Sequence, residues 1–384
     1  MREGGFRMAR LPQRKERRLT RRRFLGIASG TIGAGLAAKF TAPAFVRAAA
    51  PEKIVVGVWG GAWGDAVKAS VGDPFEKKFG VKVEYVHGGD TERKAKMRAE
   101  KGKQTLDVAY WTPSAAYIIA TELNALVPLT EKKSLLPNIA DLYKGMSEPQ
   151  IWTQWTVAPW TYAWTLLYRT DKIPAADAAK VTSWREIFNQ KWKGKVGWPN
   201  INWGNGWGLL TLALMQDEGT AESGKPHEID KAWELVPQVK GQVTTFYGGD
   251  DEAATLLKSG ETWLTLRSTF ETYTYQKEGA PISMWTKLKE GMVATNESMS
   301  VVRSGDQARE DLAAKFINMQ LSPESQESLA THFFTPASRK ATIPAAYKDK
   351  VLSVQEIQGL NHFDWIWMGK MLDSWTDKWN RAIS

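Results

Sequence analysis

The chain has 384 residues, of which 43% are hydrophobic and 24% are charged, a composition typical of folded globular proteins. It contains no cysteine and four histidines, which excludes disulfide bonds and thiol catalysis and argues against a histidine-rich metal site. The formal net charge of +9 is concentrated at one end, because residues 1–48 hold 12 of the 51 basic residues but two of the 42 acidic ones. The remainder is nearly neutral, so the charge does not indicate nucleic-acid binding.

The N-terminal segment has the layout of an export signal, with a basic stretch, an uncharged run from Phe24 to Ala38 and then small residues. That run is shorter than the ~20 apolar residues of a membrane span. The segment Thr20-Arg21-Arg22-Arg23-Phe24-Leu25-Gly26 resembles the twin-arginine motif. We therefore expect residues 1–48 to be a twin-arginine signal peptide and the processed protein to be soluble in the periplasm.

The cleavage site is expected near Ala48/Ala49, because Val46-Arg47-Ala48 offers small residues at the required positions. Cleavage after Ala48-Ala49-Ala50 is the second option, although Pro51 follows it directly. An uncleaved basic tail is the alternative interpretation.

The segments that follow alternate between strand and helix patterns. Lys53 to Trp59 is β-branched and ends in Gly-Gly, which predicts a buried strand. A helix is predicted from Asp65 to about Lys78, with a stop at Gly80. The next predicted elements, in order, are a strand at 81–86, a helix at 91–101, a strand at 106–111 and a helix at 114–122. This alternation predicts βαβ units and parallel strands.

The second half of the chain continues in the same style. Residues 157–168 are apolar and aromatic but are broken by Pro159, and Ser183 with Glu186 predicts a capped helix start. Further predicted elements are strands at 195–198 and 262–266 and helices at 252–258, 311–320, 324–332 and from 361 to the end. We find neither a solenoid repeat nor a low-complexity linker.

Tryptophan is unusually abundant, with 19 residues. Most large rings pack in cores, but Trp59, Trp63, Trp203 and Trp207 stand beside glycines in predicted loops. A ring in such a loop often contacts a ligand or lies in a cleft. We therefore treat these four as candidate cleft residues, with ordinary packing as the alternative.

No catalytic motif is found: the chain lacks a Gly-x-Ser-x-Gly elbow, a phosphate-binding loop, a dinucleotide fingerprint and His-Glu-x-x-His. The acidic triplet Asp250-Asp251-Glu252 could bind a hard cation, but a helix N-terminus is the favoured interpretation. A pair of catalytic carboxylates can be formed by distant residues, so a periplasmic carbohydrate-active enzyme with a tryptophan-lined groove stays open.

Several segments in series resemble the periplasmic solute-binding proteins of ABC importers, in particular their spermidine/putrescine-binding branch. The segments are Trp59-Gly60-Gly61-Ala62-Trp63-Gly64, Val157-Ala158-Pro159-Trp160 through Tyr168-Arg169-Thr170-Asp171, Thr182-Ser183-Trp184 through Trp192-Lys193-Gly194-Lys195-Val196, and Ala313 to Asn318 with Leu321-Ser322-Pro323-Glu324. Together they run through nearly the whole chain after the signal.

The resemblance implies an α/β fold of the type II periplasmic-binding-protein kind. Two lobes, each a mainly parallel sheet flanked by helices, are joined by a hinge and close on a ligand. Lobe one is expected at 52–158 plus 296–341, and lobe two at 159–295 plus 342–384.

The resemblance also implies ligand-binding residues. Trp59 and Trp63 match aromatic residues that pack on the ligand, and Tyr117 matches a tyrosine that faces the cleft. Glu297 falls where polyamine binders keep an aspartate for an ammonium group, a pairing that aromatic faces would reinforce.

Other positions depart from the polyamine pattern. Asn200 falls where an acid is expected, and Ser268 and Thr295 replace two tryptophans. Arg267 would repel a polyamine and would suit a carboxylate, unless it forms a salt bridge between or within lobes. Glu297 together with Arg267 would suit a zwitterion.

We therefore expect a monomeric receptor, without enzymatic activity, cofactor or metal site, that captures a small nitrogenous solute and delivers it to a membrane permease after export by the twin-arginine translocase. A polyamine-like cation is favoured as the ligand. The alternatives are a zwitterion or carboxylate such as an amino acid derivative, opine or betaine, and more distantly a ferric ion or a sugar.

Overall fold

The computed structural model describes residues 51–144, 154–217 and 229–384. The predicted signal peptide and its cleavage site near Ala48/Ala49 lie outside the described residues. Within the described part, no helix combines the length and the apolar composition that crossing a bilayer requires.

The described residues form eleven strands and thirteen α-helices. The strands are β1 Lys53–Val58, β2 Lys82–His87, β3 Val108–Trp111, β4 Trp160–Arg169, β5 Val196–Pro199, β6 Val243–Tyr247, β7 Leu264–Ser268, β8 Ile282–Trp285, β9 Val293–Asn296, β10 Ser298–Val301 and β11 Thr335–Pro336. The α-helices are α1 Gly61–Val67, α2 Asp73–Phe79, α3 Asp90–Ala99, α4 Pro113–Leu123, α5 Ala175–Ala178, α6 Trp207–Asp217, α7 Ile229–Gln242, α8 Asp250–Ser259, α9 Thr269–Lys277, α10 Gln307–Gln320, α11 Pro323–Ala330, α12 Val354–Gln358 and α13 Trp365–Ile383.

Shorter helical segments connect these elements. One is π-helical, Lys68–Gly72. The others are 3-10 turns at Leu129–Leu135, Pro137–Asp141, Trp184–Phe188, Gln190–Trp192, Trp203–Gly206 and Ala345–Tyr347.

The strands form two sheets, and we name the parts of the chain that carry them lobe one and lobe two. The sheet of lobe one has the order β10-β3-β1-β2, in which β1 pairs in parallel with β2 and β3, and β10 is antiparallel to β3. Parallel strands end at the same edge of a sheet, so the turns after β1, β2 and β3 lie together.

The sheet of lobe two is mixed. Its order is β11-β4-β7-β5-β6, and β8 and β9 also pair with β4. The long, buried strand β4 is antiparallel to all four of its partners, whereas β5 pairs in parallel with β6 and β7. The two-lobed α/β architecture agrees with the expectation, with more antiparallel pairing in lobe two than βαβ alternation alone predicts.

Two boundaries differ from the sequence-based expectation. The helix predicted from Asp65 begins at Gly61 and is interrupted by the π-helical segment, where a side chain on Gly72 would collide with the Tyr85 hydroxyl. The apolar run that starts at Val157 becomes strand β4 only from Trp160, because Pro159 has no N–H to donate to a ladder.

Two segments cross the predicted lobe limits. Strand β11, expected in lobe one, pairs with Trp160 and Thr161 at the start of β4 in the sheet of lobe two. Helix α13, expected in lobe two, packs on α7 and also on α4 of lobe one, where Gly369 comes close to Ser114. The exact lobe limits stay a prediction.

Candidate functional site

A cavity of about 270 Å³ lies where the two lobes meet. Lobe one contributes the turns after β1, β2 and β3, and lobe two contributes those after β5 and β6, together with residues of β4 and β9. The lining residues are Trp59, Trp63, Gly89, Asp90, Thr91, Glu92, Thr112, Tyr162, Trp164, Asn200, Asn202, Trp203, Gly204, Trp207, Gly248, Asp250, Thr295 and Glu297. Ligand sites in α/β proteins are typically found at such strand ends.

Six aromatic side chains form much of the cavity wall: Trp59, Trp63, Tyr162, Trp164, Trp203 and Trp207. Their rings contact one another in tilted and edge-to-face pairs. The ring centroids of Trp59 and Trp63 are 5.5 Å apart, and those of Trp164 and Trp203 are 5.1 Å apart. Aromatic faces carry partial negative charge, so a wall of this kind favours an apolar or cationic group.

The lobe-one side of the wall carries two buried carboxylates, Asp90 and Glu297, which are 7% and 2% exposed. The guanidinium of Arg93 lies behind them, 3.6 Å from Asp90, and is sandwiched between the rings of Trp59 and Trp111. Burial raises the pKa of Glu297 well above its ordinary value, and the charge of Asp90 adds to the rise. This side therefore sets two buried carboxylates against one guanidinium.

The lobe-two side repeats this imbalance. Asp250 lines the cavity at the start of α8 and lies 2.8 Å from the guanidinium of Arg267. Arg267 is fully buried and is also paired with Glu271 of α9. Burial raises the pKa of Asp250 even though Arg267 opposes the shift. Again two carboxylates stand against one guanidinium.

Only some of the residues that the resemblance implies lie together in the cavity. Trp59, Trp63, Asn200 and Glu297 all line the cavity, whereas Arg267 lies behind its wall. Tyr117 is half-buried on α4 and is not among the lining residues. The roles of these residues in binding stay predictions.

The two positions that replace tryptophans have different surroundings. Thr295 lines the cavity. Ser268 is buried at the start of α9, where its hydroxyl and backbone N–H both donate to Glu271. It therefore serves as a helix cap in the same cluster that holds Arg267.

Sequence reasoning missed Asp90, Asp250, Tyr162 and Trp164 as cavity residues. Asp250 was identified as a helix N-terminus, and α8 does begin there. Asp250 also faces the cavity and Arg267, and this location depends on how α8 packs on β7. Asp90 follows Gly88-Gly89 after a strand, and that strand-end location was an available signal.

The charged side chains among the described lining residues are all acidic. Among the described residues that line the cavity there is no lysine or arginine, while Asp90, Glu92, Asp250 and Glu297 are all present. Within the described residues, no group of three or more histidine, cysteine, aspartate or glutamate side chains is placed to hold a metal ion.

Comparison with known proteins shows the family. The profile of the bacterial extracellular solute-binding proteins matches residues 70–353, more than half of the chain, and the chain belongs to this family. No curated protein matches the sequence significantly.

Solved structures show the same fold at low sequence identity. The binding protein AgtB from A. tumefaciens R10, in complex with agropinic acid, matches with a TM-score of 0.71 and 22% identity, over 86% of this chain and 98% of that one. The Atu4243-GABA receptor matches with a TM-score of 0.67 and 21% identity, over 86% and 98%. An ABC transporter structure from Clostridium perfringens ATCC 13124 matches with a TM-score of 0.63 and 20% identity, over 86% and 100%.

Proposed function

We propose that this member of the bacterial extracellular solute-binding proteins is the receptor of an ABC importer and captures a small organic cation, polyamine-like in its charge, in the cavity between its lobes. Capture involves closure of the lobes and no covalent chemistry. The closed, loaded protein then delivers the solute to a membrane permease. Export by the twin-arginine translocase would place the mature, monomeric protein in the periplasm.

The excess of carboxylates in the cavity wall carries the cation proposal. Lobe one sets the buried pair Asp90 and Glu297 against Arg93, and lobe two sets Asp250, which lines the cavity, and Glu271 behind it against Arg267. A buried charge is costly unless it is paired. A solute with an ammonium group toward each wall would balance both sides, as a diamine does.

The aromatic wall supports the same ligand class. Alkyl chains between ammonium groups would pack on the rings of Trp59, Trp63 and Trp164, and the ammonium groups would be attracted to the ring faces. Arg267 does not oppose such a ligand in the way that its sequence position suggested, because Asp250 and Glu271 neutralise it.

A zwitterionic solute is the second candidate, and one observation favours it. The indole N–H groups of Trp63 and Trp164 are buried and have no hydrogen-bond partner among the residues that the structure describes. They could donate to the carboxylate of an amino acid derivative, an opine or a betaine whose cationic end faces Glu297. A solute that is purely anionic would meet four acidic side chains.

A thermal-shift screen tests the ligand class. The purified protein, stripped of bound solutes by unfolding and refolding, would be heated with putrescine, spermidine, glycine betaine, GABA, glucose or ferric ion. A ligand at 100 times its dissociation constant stabilises the folded state by about 2.7 kcal/mol. The cation proposal expects shifts with putrescine or spermidine and none with glucose.

Other outcomes of the screen would change the ligand class or contradict the receptor proposal. Shifts with betaine or GABA alone would move the assignment to the zwitterion class. Recovery of the bound compound distinguishes a receptor from the carbohydrate-active enzyme considered above, because a receptor returns its ligand unchanged. A compound that is converted during incubation would contradict the receptor proposal.

A further inference from the structure

The side chain of Asn205 connects the two lobes beside the solute cavity. Asn205 lies in the turn between β5 and α6 of lobe two and is 1% exposed. Its Nδ2 donates to Oδ2 of Asp90 at 3.0 Å and to Oγ1 of Thr112 at 2.6 Å. Asp90 begins α3 and Thr112 follows β3, so both acceptors belong to lobe one.

The backbone around Asn205 is shaped for this contact. Gly204, Asn205 and Gly206 all have positive φ, at 65°, 54° and 98°. Asparagine tolerates the left-handed region better than most residues other than glycine. A side chain on Gly206 would lie 3.0 Å from the ring of Trp375. The turn is therefore backed by α13, the helix that also packs on α4 of lobe one.

The acceptor of this bond is part of the solute cavity. Oδ2 of Asp90 also accepts a 2.5 Å hydrogen bond from the hydroxyl of Thr112, and Oδ1 lies 3.6 Å from Arg93. Separation of the lobes would remove Asn205 from this network and replace both hydrogen bonds by bonds to water. The charge that faces the solute is therefore oriented by a group on the opposite lobe.

We infer that Asn205 is a positioning residue for solute capture: its side-chain amide holds Asp90 in place across the cleft and favours the closed arrangement of the lobes before solute binds. Its use in solute capture rests on the proposed receptor function. The bond itself does not, because it joins two protein groups and needs no ligand.

The inference can be tested without solute by measuring the distance between the lobes. The chain has no cysteine, so two introduced cysteines accept spin labels uniquely. Ala95→Cys on α3 and Gln238→Cys on α7 are exposed helical positions, one on each lobe. The labelled full-length protein would be measured by double electron–electron resonance after bound solutes are stripped.

Asn205→Gly is the informative variant, since glycine accepts the same positive φ and only the side chain is lost. We expect the ratio of closed to open protein to fall about tenfold, the order expected for a hydrogen bond to a charged acceptor. Asn205→Asp keeps the shape but places a second carboxylate against Asp90, and should also lengthen the distance. Asn124→Gly is the matched control, an exposed αL residue at the end of α4 with φ 48°.

The inference is overturned if Asn205→Gly keeps the parent's distance distribution, or if Asn124→Gly lengthens the distance equally. A parent protein that is fully open without solute would also overturn it, because the bond would then not form before binding. A solute screen that finds no ligand would count against the proposed function and leave this distance measurement unaffected.

Discussion

The guanidinium of Arg267 lies 2.8 Å from the carboxylate of Asp250, directly behind the wall of the solute cavity. Arg267 is fully buried, pairs also with Glu271, and lies 5.2 Å from the ring of Trp203. Burial opposes its charge, but Glu271 and Asp250 outweigh burial and raise the pKa of Arg267. Arg267, which the sequence suggested as a ligand contact, is therefore paired with two carboxylates of the protein itself.

The first prediction concerns stability. Arg267→Met should lower the free energy of unfolding by about 3–5 kcal/mol, because Asp250 and Glu271 would remain buried without their counter-charge. Urea denaturation followed by tryptophan fluorescence measures the change. Arg98→Met is the matched control, since the Arg98–Glu122 pair is more than half exposed on both sides, and it should cost less than about 1 kcal/mol.

The opposite pattern would contradict this assignment of Arg267. If it served a ligand carboxylate, Arg267→Met would leave the stability of the solute-free protein near that of the parent and would abolish a shift with GABA or betaine. A second variant that combines Arg267→Met with Glu271→Gln should recover part of the lost stability, because it removes one unpaired carboxylate.

The second prediction is a pH dependence. Burial first, and the charge of Asp90 second, raise the pKa of Glu297 well above the ordinary value of 4.5. The folded protein thus holds a proton that the unfolded chain releases above that value. The contribution of Glu297 to the stability of the solute-free protein should be fully present below pH 4.5. It should be lost as the pH rises through the raised pKa. Urea titrations at several pH values measure it.

Glu297→Gln should flatten this decline, while Asp250, whose pKa is also raised by burial, should sustain part of it. Glu278→Gln is the control for the loss of one acidic side chain: Glu278 is 49% exposed, pairs with Lys258 and is not among the cavity residues, so the decline should persist in this variant. Putrescine affinity should rise over the same pH range, since its ammonium group competes with protons for Glu297. A pH-independent affinity would count against the cation proposal.

Local sequence patterns predicted the alternation of strands and helices, and the family resemblance supplied the two-lobed architecture. The β-branched run ending at Val58 locates β1, and the stop at Gly80 locates the end of α2. Both signals involve only a few neighbouring residues. Their position beside glycines in a predicted loop makes Trp59 and Trp63 cleft candidates, and the resemblance adds Asn200 and Glu297, which line the same cavity.

The rest of the site depends on tertiary packing that no local pattern encodes. Arg267 and Asp250 are 17 positions apart and meet because α8 packs beside β7. The bond from Asn205 to Asp90 spans 115 positions. Tyr117 was placed by resemblance alone, and a residue's position on a helix does not by itself decide whether its side chain reaches a cleft.

The third prediction concerns the aromatic wall. Trp59→Leu should weaken binding of putrescine by about 5- to 30-fold, because it removes a ring face worth about 1–2 kcal/mol to a partly desolvated cation. Isothermal titration calorimetry measures the change. Trp233→Leu is the control, since Trp233 lies on α7 below Lys378 and is not among the cavity residues. Equal losses in both variants would show a general effect on folding and not a contact with solute.

The fourth prediction concerns Gly60, which lies between β1 and α1. A side chain on Gly60 would lie 3.0 Å from Oδ2 of Asp251, which belongs to lobe two. The backbone of Gly60 is extended, with φ −78°, so alanine fits the chain itself and disturbs only the approach of the other lobe. Gly60→Ala should therefore shift the labelled Ala95→Cys/Gln238→Cys protein toward longer distances and reduce solute affinity by a few fold.

Gly249→Ala is the matched control for this test. Gly249 is also extended, with φ −159°, and precedes α8, but a side chain there would meet no atom of the described residues within 4 Å. It should keep the parent's distance and affinity. If Gly60→Ala behaves like Gly249→Ala, Asp251 can move aside at no cost and Gly60 does not limit closure. If Gly60→Ala lengthens the distance alone, closure requires the Asp251 side chain to lie against the bare backbone at Gly60.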